Sequence, residues 1–81
     1  MSDPIAQRLI TCFTAVFPTQ ATSDLLAATT DSLAAWDSIA NVTLIGVIEE
    51  EFNIAIDIDE LSALDSFAAI RSMLAERQAT N

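Results

Sequence analysis

Apolar positions at the start of the chain recur at helical spacing. Ile5, Leu9, Cys12, Phe13 and Val16 fall on one side of a helix wound at about 100° per residue. Asp3 stands before this run as a cap and Pro4 takes the first helical position, where its missing amide hydrogen is harmless; Pro18 closes the run. The pattern predicts a helix over 3–17. From Thr19 to Trp36 the periodicity weakens and Thr, Ser, Ala and Asp dominate. That composition predicts a long loop with a short helical turn around Asp24 to Ala28, pinned to the core by Leu25, Leu26, Leu33 and Trp36. A second helix is expected over 37–52, with the side-chain oxygen of Asp37 or Ser38 satisfying the free amides of its first turn. Leu44, Ile45, Ile48 and Phe52 form its core face, with Val42 at the margin. The opposite side gathers Ile39, Thr43, Gly46, Val47 and Glu50, a face of mixed polarity and a candidate docking surface.

Beyond Phe52 the alternation of Ile54, Ile56 and Ile58 has the period of a β-strand. No second strand is present in the pattern to pair with it, and a lone strand is unstable. The expected structure is an extended loop whose isoleucines plug the core, followed by a short helix over 59–64. Ser66 then caps a last helix over 66–77, with Phe67, Ile70 and Leu74 facing inward and Arg71 and Arg77 toward its negative carboxyl end. The whole reads as all-α: one domain over 1–81, with three principal helices, one short helix and a long first loop.

Composition narrows the chemistry. A chain of 81 residues can bury one core but not two, and 52% apolar content with one Gly and two Pro favours helices over a turn-rich sheet fold. Twelve acidic residues against three Arg give a net charge of −9, which repels nucleic acid and anionic membrane surfaces and suits basic protein partners. The chain has no His, Lys or Tyr, so it lacks the usual base for activating a serine or cysteine and any Schiff-base amine. Its carboxylates are scattered. The expectation is a non-catalytic protein. Cys12 is the only cysteine, which excludes an intramolecular disulfide and a thiolate metal cluster and leaves a core thiol. No apolar run reaches bilayer-spanning length, and Met1-Ser2-Asp3-Pro4 lacks the opening of a secretion signal, so a cytoplasmic location is expected. Asp57-Ile58-Asp59 begins like a calcium loop, but Leu61 and Ser62 replace a ligand and the required glycine. Asn41-Val42-Thr43 fits a glycosylation sequon only formally, inside a predicted helix.

One segment is more specific. Trp36-Asp37-Ser38-Ile39, followed by Val42, Leu44, Ile45, Ile48 and Glu49-Glu50-Glu51-Phe52, resembles the Asp-Ser-Leu motif and recognition helix of acyl carrier proteins. The resemblance runs from the first helix through Leu74. It implies an acyl-carrier-like four-helix bundle in which Ser38 bears 4′-phosphopantetheine, donated from coenzyme A and attached covalently by a separate phosphopantetheinyl transferase. Acyl or aminoacyl groups then travel as thioesters on the cofactor thiol between partner enzymes of a fatty acid, polyketide or specialised acyl-transfer pathway. An acyl-activating ligase and an acyltransferase or synthase are the implied partners, with Asp37, Ile39, Thr43, Gly46, Val47, Glu49 and Glu50 as the partner face of a monomer.

A second triplet, Asp31-Ser32-Leu33, competes for the modified serine. Fourteen residues beyond Ser38 lies Phe52, the aromatic that closes the family's recognition helix, whereas the same count from Ser32 reaches Gly46 in mid-helix. Ser32 is therefore expected in a turn or local cap. The chain departs from carriers of fatty acid synthesis at Ala40 and Thr43, where those carriers usually place acidic residues; this implies a docking face that relies more on apolar contact and a dedicated pathway. Leu44, Ile45, Ile48, Phe52 and Ile70 could line an acyl pocket, with packed core the simpler account. The alternative function is an unmodified acidic helical adaptor for a basic protein partner.

Overall fold

Asp3 opens the first helix as the sequence predicts. Its Oδ1 accepts from the amides of Ile5 and Ala6 at 3.1 and 3.2 Å, Pro4 holds the first helical position, and α1 runs Pro4–Val16. Four further helices follow in this computed structural model, which describes residues 3–79: α2 (Thr22–Leu26), α3 (Ser38–Phe52), α4 (Ile58–Leu61) and α5 (Phe67–Ala79). Met1 and Ser2, part of the opening segment tested above for a secretion signal, lie outside the described residues, as do Thr80 and Asn81. Among the described residues there is no β-strand, only an isolated antiparallel bridge between Thr29 and Ser66.

The described residues are thus all-α, with three long helices as expected and two short ones where one was counted. The turn foreseen at Asp24 to Ala28 is a helix shifted back to Thr22–Leu26, and the short helix foreseen over 59–64 is Ile58–Leu61. No helix of the described residues is long and apolar enough to cross a membrane.

The helix α1 is the hub: it packs against α2, α3 and α5, and α2 also meets α5. At its centre Phe13 is fully buried and touches three other rings, with Trp36 edge-on at 5.3 Å, Phe67 at 5.1 Å and Phe17 at 6.1 Å between centroids. Tilted and edge-on aromatic pairs of this kind contribute about 0.5–1.5 kcal/mol each beyond the area they bury. The long first loop is therefore not slack. Leu25, Ala28, Leu33 and Trp36 bury themselves in the core, and two backbone bonds, Thr30 N–H to the Asp65 carbonyl at 2.9 Å and Phe67 N–H to the Ala28 carbonyl at 3.0 Å, fasten it to the start of α5. There Ser66 caps α5 by accepting from the Ala69 amide at 3.0 Å.

Leu26, Ile58 and Val42 are more exposed than the pattern placed them. Leu26 is 48% exposed, because a helix of five residues can turn only one of two adjacent leucines inward, and Leu25 takes that place. Ile58 is 82% exposed: Ile54 and Ile56 pack against the core, but helix α4 begins at Ile58 and breaks the alternation. Val42 is 70% exposed rather than at the core margin.

Each of the three arginines ties distant parts of the chain together. Arg8 on α1 donates to the Glu51 carboxylate at 2.9 Å and to its carbonyl, with its guanidinium 4.3 Å above the Phe52 ring. Arg71 on α5 pairs with Asp3, and Arg77 with Glu60.

Candidate functional site

Ser38 is the first residue of α3 and is exposed. Two good capping residues sit side by side at this helix start, and the structure divides their roles. Asp37 is the cap: its backbone is extended and its Oδ1 accepts from the Ala40 amide at 2.8 Å, while its carbonyl accepts from the Asn41 amide at 2.9 Å. The Ser38 hydroxyl is thereby left out of the cap and makes no hydrogen bond to any described residue. A group esterified to that oxygen would sit beside the amides of the first turn of α3 and the positive end of its dipole, which favour negative charge.

What holds Ser38 outward is the residue two places before it. Trp36 is buried, with its ring edge against Phe13, and its Nε1–H donates to Asn41 Oδ1 at 2.9 Å, so the chain entering α3 is bonded to the first turn of α3 itself. Sequence reading missed Asn41 in this role. The signal was present in its spacing, since a side chain three residues into a helix lies over the chain that enters it, but the indole partner depends on the tertiary placement of Trp36.

The outer face of α3 gathers most of the anticipated surface residues and adds one. Ile39, 80% exposed, and Val42 stand one turn apart directly beyond Ser38, followed by the exposed Thr43, Gly46 and Glu50. Thr43 donates its hydroxyl to the Ile39 carbonyl at 3.4 Å. A Cβ built on Gly46 would meet nothing within 4 Å, so no neighbour within the chain demands a glycine there. Val47 is half-buried and packs against the core, which corrects its assignment to the outer face. Glu49 is also half-buried, and its Oε2 accepts from the Ile56 amide at 2.7 Å, so this carboxylate already holds the chain beyond α3. Ala40 is half-buried against the core as well; an acidic side chain at that position would be partly desolvated. Leu44, Ile45, Ile48, Phe52 and Ile70 are all buried in the core cluster.

Ser32, the competing serine, is exposed but engaged. Its Oγ accepts from the Thr29 amide at 2.9 Å and donates to the Thr29 carbonyl at 3.3 Å, while Thr29 Oγ1 accepts from the Ser32 amide at 2.9 Å. The two side chains close a reciprocal turn inside the long loop. The two Asp-Ser pairs thus differ in kind: one serine is occupied by its own turn, the other stands uncommitted at the start of a helix of 15 residues. No family model, curated protein or solved structure matched the chain when it was compared with each.

Proposed function

We propose that this chain is an acyl carrier protein of acyl-carrier-like bundle fold, in which Ser38 bears a 4′-phosphopantetheine arm. The observation that carries the reading is the exposed Ser38 hydroxyl at the start of α3, relieved of capping by Asp37. When attached, the arm supplies the thiol that holds an acyl or aminoacyl group as a thioester. The chain's own residues do the rest. Asp37 fixes the first turn of α3, Trp36 and Asn41 hold the approach to it, and the free amides of that turn favour the phosphodiester charge. With no His or Lys in the chain, the base that takes the Ser38 proton belongs to a separate transferase. Ile39, Val42, Thr43, Gly46 and Glu50 then form the surface met by that transferase and by acyl-activating and acyl-transferring enzymes. Because Ala40 packs against the core, the departure from fatty acid carriers that bears on docking is Thr43 with its apolar neighbours, and it supports a dedicated pathway.

Intact mass after incubation with coenzyme A and a broad-specificity phosphopantetheinyl transferase tests the reading. Addition of one phosphopantetheine group to the wild type and to Ser32→Ala, but not to Ser38→Ala, is expected. A folded wild type that stays unmodified points instead to the second reading, an unmodified adaptor, which the same exposed Ile39 and Val42 would serve. Full replacement of the general carrier in a reconstituted fatty acid synthase would overturn the dedicated pathway.

A further inference from the structure

The connection between α1 and α3 holds a groove of about 430 Å³, lined by Gln20, Asp24, Ala27, Ser32 and Leu33. Its volume lies within the range of about 300–1,000 Å³ typical of sites for small organic molecules. Leu33 is the one buried lining residue and makes the floor, Gln20 is half-buried, and Asp24, Ala27 and Ser32 are exposed around it. Both walls are held from within. On one side Leu25 is fully buried and anchors α2. On the other, the reciprocal bonds of Thr29 with Ser32 and the bond from the Thr30 amide to the Asp65 carbonyl at 2.9 Å fix the turn.

The hydrogen-bonding capacity left open on these lining side chains is mainly that of acceptors. The Asp24 carboxylate makes no hydrogen bond or ion pair with any described residue, and the Gln20 side-chain amide is equally uncommitted. Ser32 Oγ commits its hydrogen to the Thr29 carbonyl at 3.3 Å and one lone pair to the Thr29 amide at 2.9 Å, which leaves one lone pair. The chain supplies no cation here, since it has no Lys and its three arginines pair with Glu51, Asp3 and Glu60. An anion would meet the Asp24 charge and the net charge of −9. A divalent metal ion takes about six or more oxygen ligands, and one carboxylate is a poor start on that number. A guanidinium matches better: one edge pairs with both carboxylate oxygens, its remaining N–H groups suit the acceptors of Ser32 and Gln20, and an alkyl stem covers Leu33 and Ala27.

We infer that this groove is a binding site for a small organic cation, an alkylguanidinium whose head pairs with Asp24 and whose apolar body lies on Leu33 and Ala27. Walls fixed before the ligand arrives keep the ordering cost of binding low. The groove shares no residue with the outer face of α3, and its occupancy does not depend on modification of Ser38.

Titration of the full chain with n-butylguanidinium at pH 7, followed by amide chemical shifts, tests it. The Asp24, Ala27, Ser32 and Leu33 amides should move together and saturate with a dissociation constant of about 10 mM or tighter. The neutral isostere n-butylurea should bind at least fivefold more weakly. Asp24→Asn should weaken butylguanidinium binding at least fivefold, whereas Asp59→Asn, which removes the same charge from exposed α4, should change it less than twofold. Shifts that climb without saturating, or that spread over all the acidic surface, would overturn the inference. So would equal affinity for butylurea, or equal losses in Asp24→Asn and Asp59→Asn. An arginine held in a capped tripeptide that binds tenfold tighter than butylguanidinium would assign the groove to a protein partner and overturn the small-molecule occupant.

Discussion

Two small side chains carry opposite burdens in this fold. Ser38 stands exposed with its hydroxyl uncommitted, whereas Cys12 is 2% exposed within the core cluster. Burial pushes the Cys12 thiol up to about 11 from its ordinary 9.0, the negative charge of Glu51 pushes the same way, and Arg8 opposes them. At pH 8 the thiolate is then roughly one part in a thousand of the native population, and the thiolate is the reactive form. A disulfide reagent at pH 8 should therefore label the native chain at least a hundredfold more slowly than the chain in denaturant, and labelling within tenfold of the unfolded rate would contradict the core placement. The pH dependence has a fixed sign. A thiol whose folded pKa is raised contributes full stability below its unfolded value and loses it as pH rises from about 9 toward 11. At this scale the candidate serine was legible in the sequence, but its freedom was not. Asp37 and Ser38 are equally good caps on paper, and only the backbone position, extended at 37 and helical at 38, decides which oxygen turns back onto the helix.

Among the elements, α3 is apolar on both sides, and only one side is explained by packing. Leu44, Ile45, Ile48 and Phe52 are buried, while Ile39 and Val42 face outward and Gly46 lies inside the continuous helix with no close neighbour to require it. Glycine in a helix interior is less favourable than alanine by about 0.5–1 kcal/mol, so Gly46→Ala should raise stability by about that amount in urea titration. Asp37→Ala should lower it by about 1 kcal/mol through loss of the cap to Ala40, with Asp37→Asn nearly neutral because the amide oxygen still accepts. A destabilised Gly46→Ala would mean that the glycine has a structural role within the chain. The long helices were legible because their signals are local: Asp3 with Pro4, Asp37 with the stripe that follows, and Ser66 with Phe67, Ile70 and Leu74. The pieces that slipped depend on partners far away in sequence. Leu25 and Leu26 compete for one inward position in α2, Val42 and Val47 change places across the helix margin, and the bridge from Thr29 to Ser66 ties the weakly patterned long loop to the start of α5.

At the scale of the molecule, attraction and repulsion between charges have different ranges. All three arginines are engaged in ion pairs, and the side-chain contacts of Arg8 with Glu51 and Arg77 with Glu60 are 2.9 and 2.7 Å long; the remaining acidic excess, −9 in all, is spread over a body of 33 × 33 × 18 Å. The screening length falls from about 30 Å at 0.01 M salt to about 8 Å at 0.15 M, so added salt removes long-range repulsion across the body well before it weakens contacts at hydrogen-bond distance. The melting temperature at pH 7 should therefore rise between 0.01 and 0.15 M NaCl, and a fall would mean that the three pairs outweigh the excess. Titration separates the two contributions. The Asp3 carboxyl is held below its ordinary 3.8 by the Ala6 amide and by Arg71, and Glu60 is held below its ordinary 4.5 by Arg77 and the Asp57 amide. Depressed folded pKa values give stability that is complete above those ordinary values and lost as pH falls through the lower folded ones. Arg71→Gln should thus destabilise the chain at pH 7 by an amount that shrinks toward zero as pH drops below 3.8, since the protonated Asp3 has no ion pair left to lose. A difference between the two proteins that persists unchanged to pH 2.5 would show that Arg71 acts through packing of its stem against α1 and not through its charge.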